Sequence, residues 1–455
     1  MLPSRIWYPA LVAAGLQLTA AMQLIIADPV SIKNAARTVA YGMMTYYTGN
    51  ASTSQVGLLP PPYYWWEAGA MWGALVDYWY YTNDSTYNNV TTQALLSQVG
   101  PKNDYMVPAQ QFDEGNDDQS FWGFAVMSAL ERNYPAPPST SPQWLPLVEA
   151  LWNTQVPRWD MTTCAGGLKW QIFSSNAGYN YKNSIANGGF FQLAARLARY
   201  TGNQTYVDWA EKIWDWTARV GLIDNKYNVY DGTDDTINCT AVDHDQETYN
   251  VGIFLYGAAV LYNYTNGSTI WESRTTGLLN AAAYFFSPFP NATHIMYETI
   301  CEKDSSCNND AQSFKAYLAR WMWATTQVAP YTRGAIMALL RPSAQGAAAS
   351  CSGGKYDVTC GSRWYTNAFD NVYGVGEQLA ALEVIQGLLI NDTAPPLTGP
   401  NVDIAAAASV SSVPVPSTSP AGTIPAKKGQ GSRSMGGIAL GRIVCIGIAF
   451  VAIFS

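Results

Sequence analysis

Beyond residue 30, apolar positions recur at helical spacing almost without a break, and strand-like alternation is scarce. The periodicity predicts twelve helices, over about 31–47, 63–81, 86–99, 117–132, 142–155, 184–200, 204–220, 246–264, 268–285, 309–328, 331–345 and 372–390. Some carry their own punctuation: Asn183 and Ser184 precede "IANGGFFQLAARLARY", and Gly202 closes it. The helices are of two kinds. "QSFWGFAVMSAL" and "IANGGFFQLAA" are apolar or small nearly all round, so each must be buried on most sides. "TYVDWAEKIWDWTARV" is amphipathic, with Trp209, Ile213, Trp216 and Val220 on one stripe. Alternating enclosed and amphipathic helices predict a double ring, an all-α (α/α)6 toroid. A stacked solenoid is the competing arrangement, but its repeat would be more regular than this one. Loops joining the helix pairs of a toroid gather at a concave end, where the Gly-rich, aromatic and acidic segments of this chain are expected to form a cleft.

Composition narrows the chemistry. Only 13% of the 455 residues are charged, while Trp (17) and Tyr (29) are plentiful. A net charge of −8 argues against nucleic acid as a partner. Two histidines, His244 and His294, leave no material for a His-rich metal centre or a His-dependent triad; no metal or cofactor is expected.

Both ends read as targeting signals. Arg5, an apolar run and the small residues of "LTAAM" predict a signal peptide over 1–21; an uncleaved anchor running on to Ile26 is interrupted by Gln17 and Gln23. No composition break divides the chain before about residue 395, so 22–395 is expected to be one catalytic-sized domain. Residues 396–430 form a Pro/Ser/Ala-rich linker, and 431–455 end in an apolar tail. Small residues, a polar spacer and that tail make the pattern of a glycosylphosphatidylinositol (GPI) anchor, with Gly429 or Gly431 as the attachment site. A tail-anchored helix is the alternative, which Arg442 and the tail glycines disfavour. Such a protein is secreted and held at the outer face of the plasma membrane or in the wall, and is expected to act as a monomer.

Setting aside Cys445 in the tail, six of the seven cysteines remain. The short loops suggest Cys301–Cys307 and Cys351–Cys360, which leaves Cys164–Cys239. N-x-S/T sequons at Asn50, Asn83, Asn89, Asn203, Asn238, Asn263, Asn266, Asn291 and Asn391 fit the same secretory route.

The chemistry concentrates in "FDEGNDDQSFWGF", residues 112–124. Asn116 is expected to cap a helix, with Gln119 completing a capping box and Asp117 and Asp118 in its first two positions. Acidic residues are ordinary in first turns, where the helix dipole favours them. Here, however, the helix that follows is enclosed, so its first turn should open into the cleft. Asp113 and Glu114 stand close by, and like charges in a confined site push one carboxyl toward its protonated form. Adjacent helical residues point about 100° apart, which allows carboxyl groups about 5–6 Å apart, near the spacing of retaining glycoside hydrolysis.

At these residues the chain resembles glycoside hydrolase family 76, the fungal mannan endo-1,6-alpha-mannosidases, in its GPI-anchored branch. The stretches that carry the likeness are "YYWWEAGAMWGALVDYW", "GNDDQSFWGFAVMSALE", "CAGGLKWQI", "YKNSIANGGFFQLAARLARYTGN", "YDG", "DQETYNVG" and "GVGEQLAALEVIQ", spread over about 31–390. The resemblance implies an (α/α)6 fold and action on alpha-1,6-linked mannose. It implies Asp117 as nucleophile and Asp118 as acid/base, and a role in cell-wall biogenesis. It also suggests the mannose core of GPI anchors as donor and wall beta-glucan as acceptor. Hydrolysis and transglycosylation both remain open.

Other residues are candidates for sugar binding. Trp65 and Trp66 would stack on sugar faces or pack in the core, and Glu67 would bind hydroxyls. Asn187 stands before a glycine pair, where either a ligand or a neighbouring helix comes close. Asp231, Gln246 and Asn250 would bind hydroxyls. Asp234-Asp235 reads as a solvated loop or cleft rim, His244 as a surface residue, and Trp364 and Tyr365 as an aromatic rim or a core cover. A non-catalytic glycan-binding wall protein and a calcium-dependent alpha-1,2-mannosidase are the competing functions.

Overall fold

The computed structural model describes residues 22–51, 55–354, 357–400 and 402. Among them are twelve α-helices: α1 (Pro29–Met44), α2 (Trp65–Thr82), α3 (Asn88–Ser97), α4 (Asn116–Glu131), α5 (Trp144–Gln155), α6 (Ser184–Thr201), α7 (Gln204–Val220), α8 (Thr248–Tyr264), α9 (Thr269–Ala282), α10 (Phe314–Val328), α11 (Arg333–Ser350) and α12 (Val375–Gln386). Every predicted helix has a counterpart. The even-numbered helices pack in sequence, α2 on α4, α4 on α6, α6 on α8, α8 on α10 and α10 on α12, and α12 returns to pack on α2. That last contact closes the ring and excludes an open solenoid. The odd-numbered helices lie outside, as α1 against α12, α7 against α6 and α9 against α8 illustrate.

Residue type decides which helix goes inside. In α2, α6 and α12 nearly every position is buried, including Gln378 and Gln386. In α7 only the stripe with Tyr206, Ile213 and Trp216 is covered. The glycine pair Gly188-Gly189 allows α6 to fit between its neighbours. A β-carbon at Gly188 would strike Ile253 of α8, and one at Gly189 would strike Ser120 of α4. Helix packing, not a ligand, explains those glycines.

Short strands decorate the loops. β1 (Tyr181–Asn183), β2 (Gly232–Asp234) and β3 (Val242–Asp243) form an antiparallel sheet in that order, and β4 (Phe286–Phe289) pairs with β5 (Ala292–Met296). The structure links Cys164 to Cys239, Cys301 to Cys307 and Cys351 to Cys360. Near the C-terminal ends of the inner helices a buried ionic network crosses the ring. Asp77 pairs with Arg132 and Arg320, Arg320 with Glu383 at 2.8 Å, and Arg196 with Glu131 at 2.7 Å. Arg132, the C-cap of α4, also complements the negative end of that helix's dipole.

Residues 396–399, assigned by composition to the linker, lie against this end: Arg199 donates to the carbonyls of Pro396 and Leu397, each at 3.0 Å. The expected signal peptide, the rest of the linker and the anchor tail with Gly429 and Gly431 lie outside the described residues. No helix among the described residues is long and apolar enough to cross a membrane. The sequon asparagines are exposed except Asn263, which lies in α8 with its Oδ1 accepting from Arg199 Nε at 2.9 Å.

Candidate active site

The inner helices share one direction, and the starts of α2, α4, α8 and α10 bring side chains to one cleft of about 460 Å³. Its walls include Trp66, Asp117, Asp118, Phe121, Trp170 and Tyr249, with Asp231, Glu247 and Asp310 among them. Carboxyl groups, aromatic faces and amides make a surface suited to polyhydroxylated ligands.

The start of α4 differs by one residue from the sequence expectation. Gly115, in extended conformation, is the N-cap, and Asn116 is already helical. Asn116 is drawn away from capping by the 168–171 loop: its backbone N–H donates to the Trp170 carbonyl at 2.9 Å, and its amide donates to the Lys169 carbonyl at 2.8 Å. Asp118 takes the place expected of Gln119 and accepts from the Gly115 N–H. Gln119 is instead buried, accepting from Arg158 at 2.8 Å. The aspartates therefore hold the second and third helical positions, not the first and second.

Asp117 Oδ2 accepts from Trp170 Nε1 at 3.0 Å, while its Oδ1 has no partner among the described residues. A β-carbon at Gly115 would collide with both Asp117 Oδ1 and Asp118 Oδ2. The two carboxylates thus meet over one point of backbone, closer than the ~6.5–9.5 Å that inverting glycosidases leave for a water.

Burial raises both carboxyl groups. Asp117 is pushed up to about 7, against hydrogen bonds from backbone and Trp170 that favour its anion. Asp118 is raised further, by burial first and then by the charge of Asp117. Burial, not the acidic neighbours, is thus the main cause. Asp113 adds a smaller contribution to Asp118, and Glu114 turns away to accept from the Val107 N–H at 2.5 Å.

The other candidates separate clearly. Trp65 is a core residue: its indole donates to Gln98 at 3.0 Å and its ring packs on Trp122. Trp66 is the one that faces the cleft, donating to Asp310 Oδ1 at 3.2 Å. Glu67 is buried as a cap, accepting from the Tyr64 N–H and from Asn309, each at 2.7 Å. Asn187 is buried and grips Leu168 through its N–H at 2.8 Å and its carbonyl at 3.0 Å, so it supports the loop that carries Trp170. Asp231 lines the cleft and accepts from the Tyr181 hydroxyl at 2.7 Å. Gln246 is half-buried outside the cleft lining, and Asn250 is buried with its amide on Glu247 at 2.8 Å. The acid that reaches the cleft from this segment is Glu247, pushed up to about 9 by burial and then by Asp231.

Asp235 is no solvated rim residue. It is buried and paired with Lys169. Trp364 is fully buried beneath Lys315, which settles it in the core, while His244 is exposed and packs edge-on to Tyr230. Sequence reasoning missed Trp170, Tyr181, Glu247, Tyr249, Asp310 and Phe314 as cleft residues. The signal available for Trp170 and Glu247 was their place beside Gly-rich or acidic loops.

A closed helical double ring with two adjacent carboxyl groups at the foot of an aromatic cleft defines a glycosidase-type scaffold. The chain belongs to glycosyl hydrolase family 76, whose profile matches residues 31–400. It is 49% identical over 383 residues to the mannan endo-1,6-alpha-mannosidase DCW1 of Candida glabrata, covering 84% of each chain. The crystal structure of Dfg5 from Chaetomium thermophilum in complex with glucosamine superposes with a TM-score of 0.79 at 44% identity, over 83% of this chain and 94% of that one. The GH76A alpha-1,6-mannanase of Salegentibacter sp. HEL1_6 shares the fold, with a TM-score of 0.62 at 18% identity over 78% of this chain and 98% of that one.

Proposed function

We propose that this chain is a retaining mannan endo-1,6-alpha-mannosidase of the cell surface, with Asp117 as nucleophile and Asp118 as acid/base. The observation that carries the reading is the shared approach of both carboxyl groups to one point above Gly115, together with their unequal environments. Asp118, raised by burial and by its neighbour's charge, keeps its proton for the leaving oxygen. Asp117, held by the Trp170 indole, ionises first and attacks the anomeric carbon. The first displacement forms a glycosyl ester on Asp117 and releases the leaving sugar with the proton of Asp118. In the second, Asp118 takes a proton from the incoming hydroxyl as it attacks, which restores both groups and the starting configuration.

The incoming hydroxyl belongs to water in hydrolysis or to a second sugar in transfer. For the transfer reaction the donor is the mannose core of a GPI-type glycan and the acceptor is wall beta-glucan. The chain works outside the cell, carried by the signal peptide over 1–21 and the anchor signal at Gly429 or Gly431. Product analysis tests the reaction. A GPI-core mannoside is incubated with the full chain, with and without laminari-oligosaccharides, and products are followed by NMR and mass spectrometry. Retained alpha configuration is expected, and inverted product would sink the mechanism. Asp117→Asn and Asp118→Asn should each lower turnover by roughly 10²–10⁴-fold, with mannoside binding preserved. Chelation of divalent metals should leave turnover unchanged.

A further inference from the structure

Arg158 stands outside the catalytic cleft, half-buried at the end of the short helical turn Val156–Arg158 that follows α5. One nitrogen of its guanidinium makes two hydrogen bonds: Nη1 donates to Asn116 Oδ1 at 2.9 Å and to Gln119 Oε1 at 2.8 Å. Those two residues flank the aspartate pair, one directly before Asp117 and the other directly after Asp118. The second nitrogen, Nη2, rests on the Met106 sulfur at 3.1 Å. In these bonds the cation serves two neutral amides and no carboxylate.

Asn116 passes that hold on. With its Oδ1 on Arg158, its amide nitrogen is turned to the Lys169 carbonyl at 2.8 Å, and its backbone N–H reaches the Trp170 carbonyl at 2.9 Å. An amide whose oxygen and nitrogen are both engaged cannot flip without losing both bonds. The loop held in this way carries Trp170, the only side-chain donor to the Asp117 carboxylate among the described residues. Gln119 anchors the other side of the turn, donating to the Asp104 carbonyl at 2.8 Å. One guanidinium therefore ties the first turn of α4 to the loop that supplies the indole.

We propose that Arg158 is a positioning residue for the nucleophile: through Asn116 it fixes the 168–171 loop and so aims the Trp170 indole at Asp117. The proposal rests on Asp117 being the nucleophile. The titratable groups that act on Asp117 and Asp118 from around them are Asp310, from the loop before α10, Asp113, and Tyr249 on α8; Glu114 and Asp104 face Arg158 instead. The Trp170 hydrogen bond favours the Asp117 anion, so a loosened indole raises that carboxyl further.

The test reads the indole directly. In the full chain labelled with ¹⁵N-tryptophan, the Trp170 indole N–H signal is assigned by its disappearance in Trp170→Phe, and it titrates as Asp117 takes up its proton. Arg158→Met and Asn116→Ala should each move that midpoint up by roughly one pH unit. The acidic limb of the pH–rate profile on a GPI-core mannoside should move with it, and kcat should fall roughly tenfold with KM little changed. Arg158→Lys, whose ammonium can supply both bonds that Nη1 makes, should restore the midpoint. In the Trp170→Phe background, Asn116→Ala should move the limb no further. Thermal melts verify folding, and Asn116→Ala carries the test if Arg158→Met does not fold. A midpoint that moves in Arg158→Met but stays in Asn116→Ala shows charge acting through space and overturns the proposal. So does an Asn116→Ala shift that is undiminished without the indole. If the midpoint moves as expected in a chain that turns over no mannoside, the positioning role stands and the proposed reaction falls.

Discussion

Asp310 contributes a carboxyl group to the cleft wall from the loop after the Cys301–Cys307 disulfide, and its charge acts on both aspartates of the pair. A negative neighbour raises a carboxyl group, so removing it must lower both. Asp310→Asn should therefore carry the acidic limb of the pH–rate profile to lower pH, because Asp117 stays ionised further into acid. An unmoved limb would show that Asp310 is too well screened to matter. At Gly115 the constraint is steric. Gly115→Ala forces a methyl group against both carboxylates, and kcat should fall by roughly 10²-fold with little change in melting temperature. The aspartate pair was legible in sequence because its neighbours are local: turn-forming residues before it, an enclosed helix after it. Trp170 was not singled out, since the hydrogen bond that gives it a role spans 53 residues. Trp65 and Trp66 are adjacent and chemically identical; only the crossing of α2 against α4 decides which one faces the cleft.

Among elements, period was a faithful guide where a helix is long. The twelve helices stand close to their predicted ranges, but the ends moved where side chains competed for the backbone. The helix expected from 309 begins at Phe314, because Asn308 uses its side chain and carbonyl to hold a turn over Ala311 and Gln312. The strands were invisible. β1, β2 and β3 hold two or three residues each, too few for alternation to register, and β4 contains a proline. The disulfides should differ in weight, since Cys164–Cys239 closes a separation of 75 residues and Cys301–Cys307 one of 6. On chain entropy the first stabilises by about 4 kcal/mol and the second by about 2 kcal/mol. Paired Cys→Ala variants compared by denaturant unfolding should reproduce that order.

For the whole molecule, the double ring was readable from the alternation of helix types, but its closure was not, because it depends on α12 meeting α2 across nearly the full chain. Buried acids in the first turns of α2 and α12, and one just after β5 whose carboxylate accepts from Thr248 at the start of α8, give the fold a pH signature. Glu67, Glu298 and Glu377 are each pushed up to about 8 from an ordinary 4.5, chiefly by burial. Between those values the folded state keeps protons that the unfolded chain releases, so stability declines as pH rises. Asp84 and Asp160, which are lowered, act only below their ordinary 3.8 and leave this window alone. The melting temperature should be higher at pH 5 than at pH 8, and a flat profile would mean these acids are not buried as described.

The ionic network of Asp77, Arg132, Arg320, Glu383, Arg196 and Glu131 is buried across the ring, away from the cleft residues at the helix starts. Among the described residues that leaves one doorway, on the side where the inner helices begin. A polymer cannot be threaded through like a rope through a pulley, and a cut chain cannot leave by a back exit. On the proposed mechanism, the severed half must clear that doorway before an incoming hydroxyl can approach the half left behind. Traffic at that doorway, rather than bond breaking alone, then sets the order of events, and a slow-leaving fragment competes directly with its own replacement.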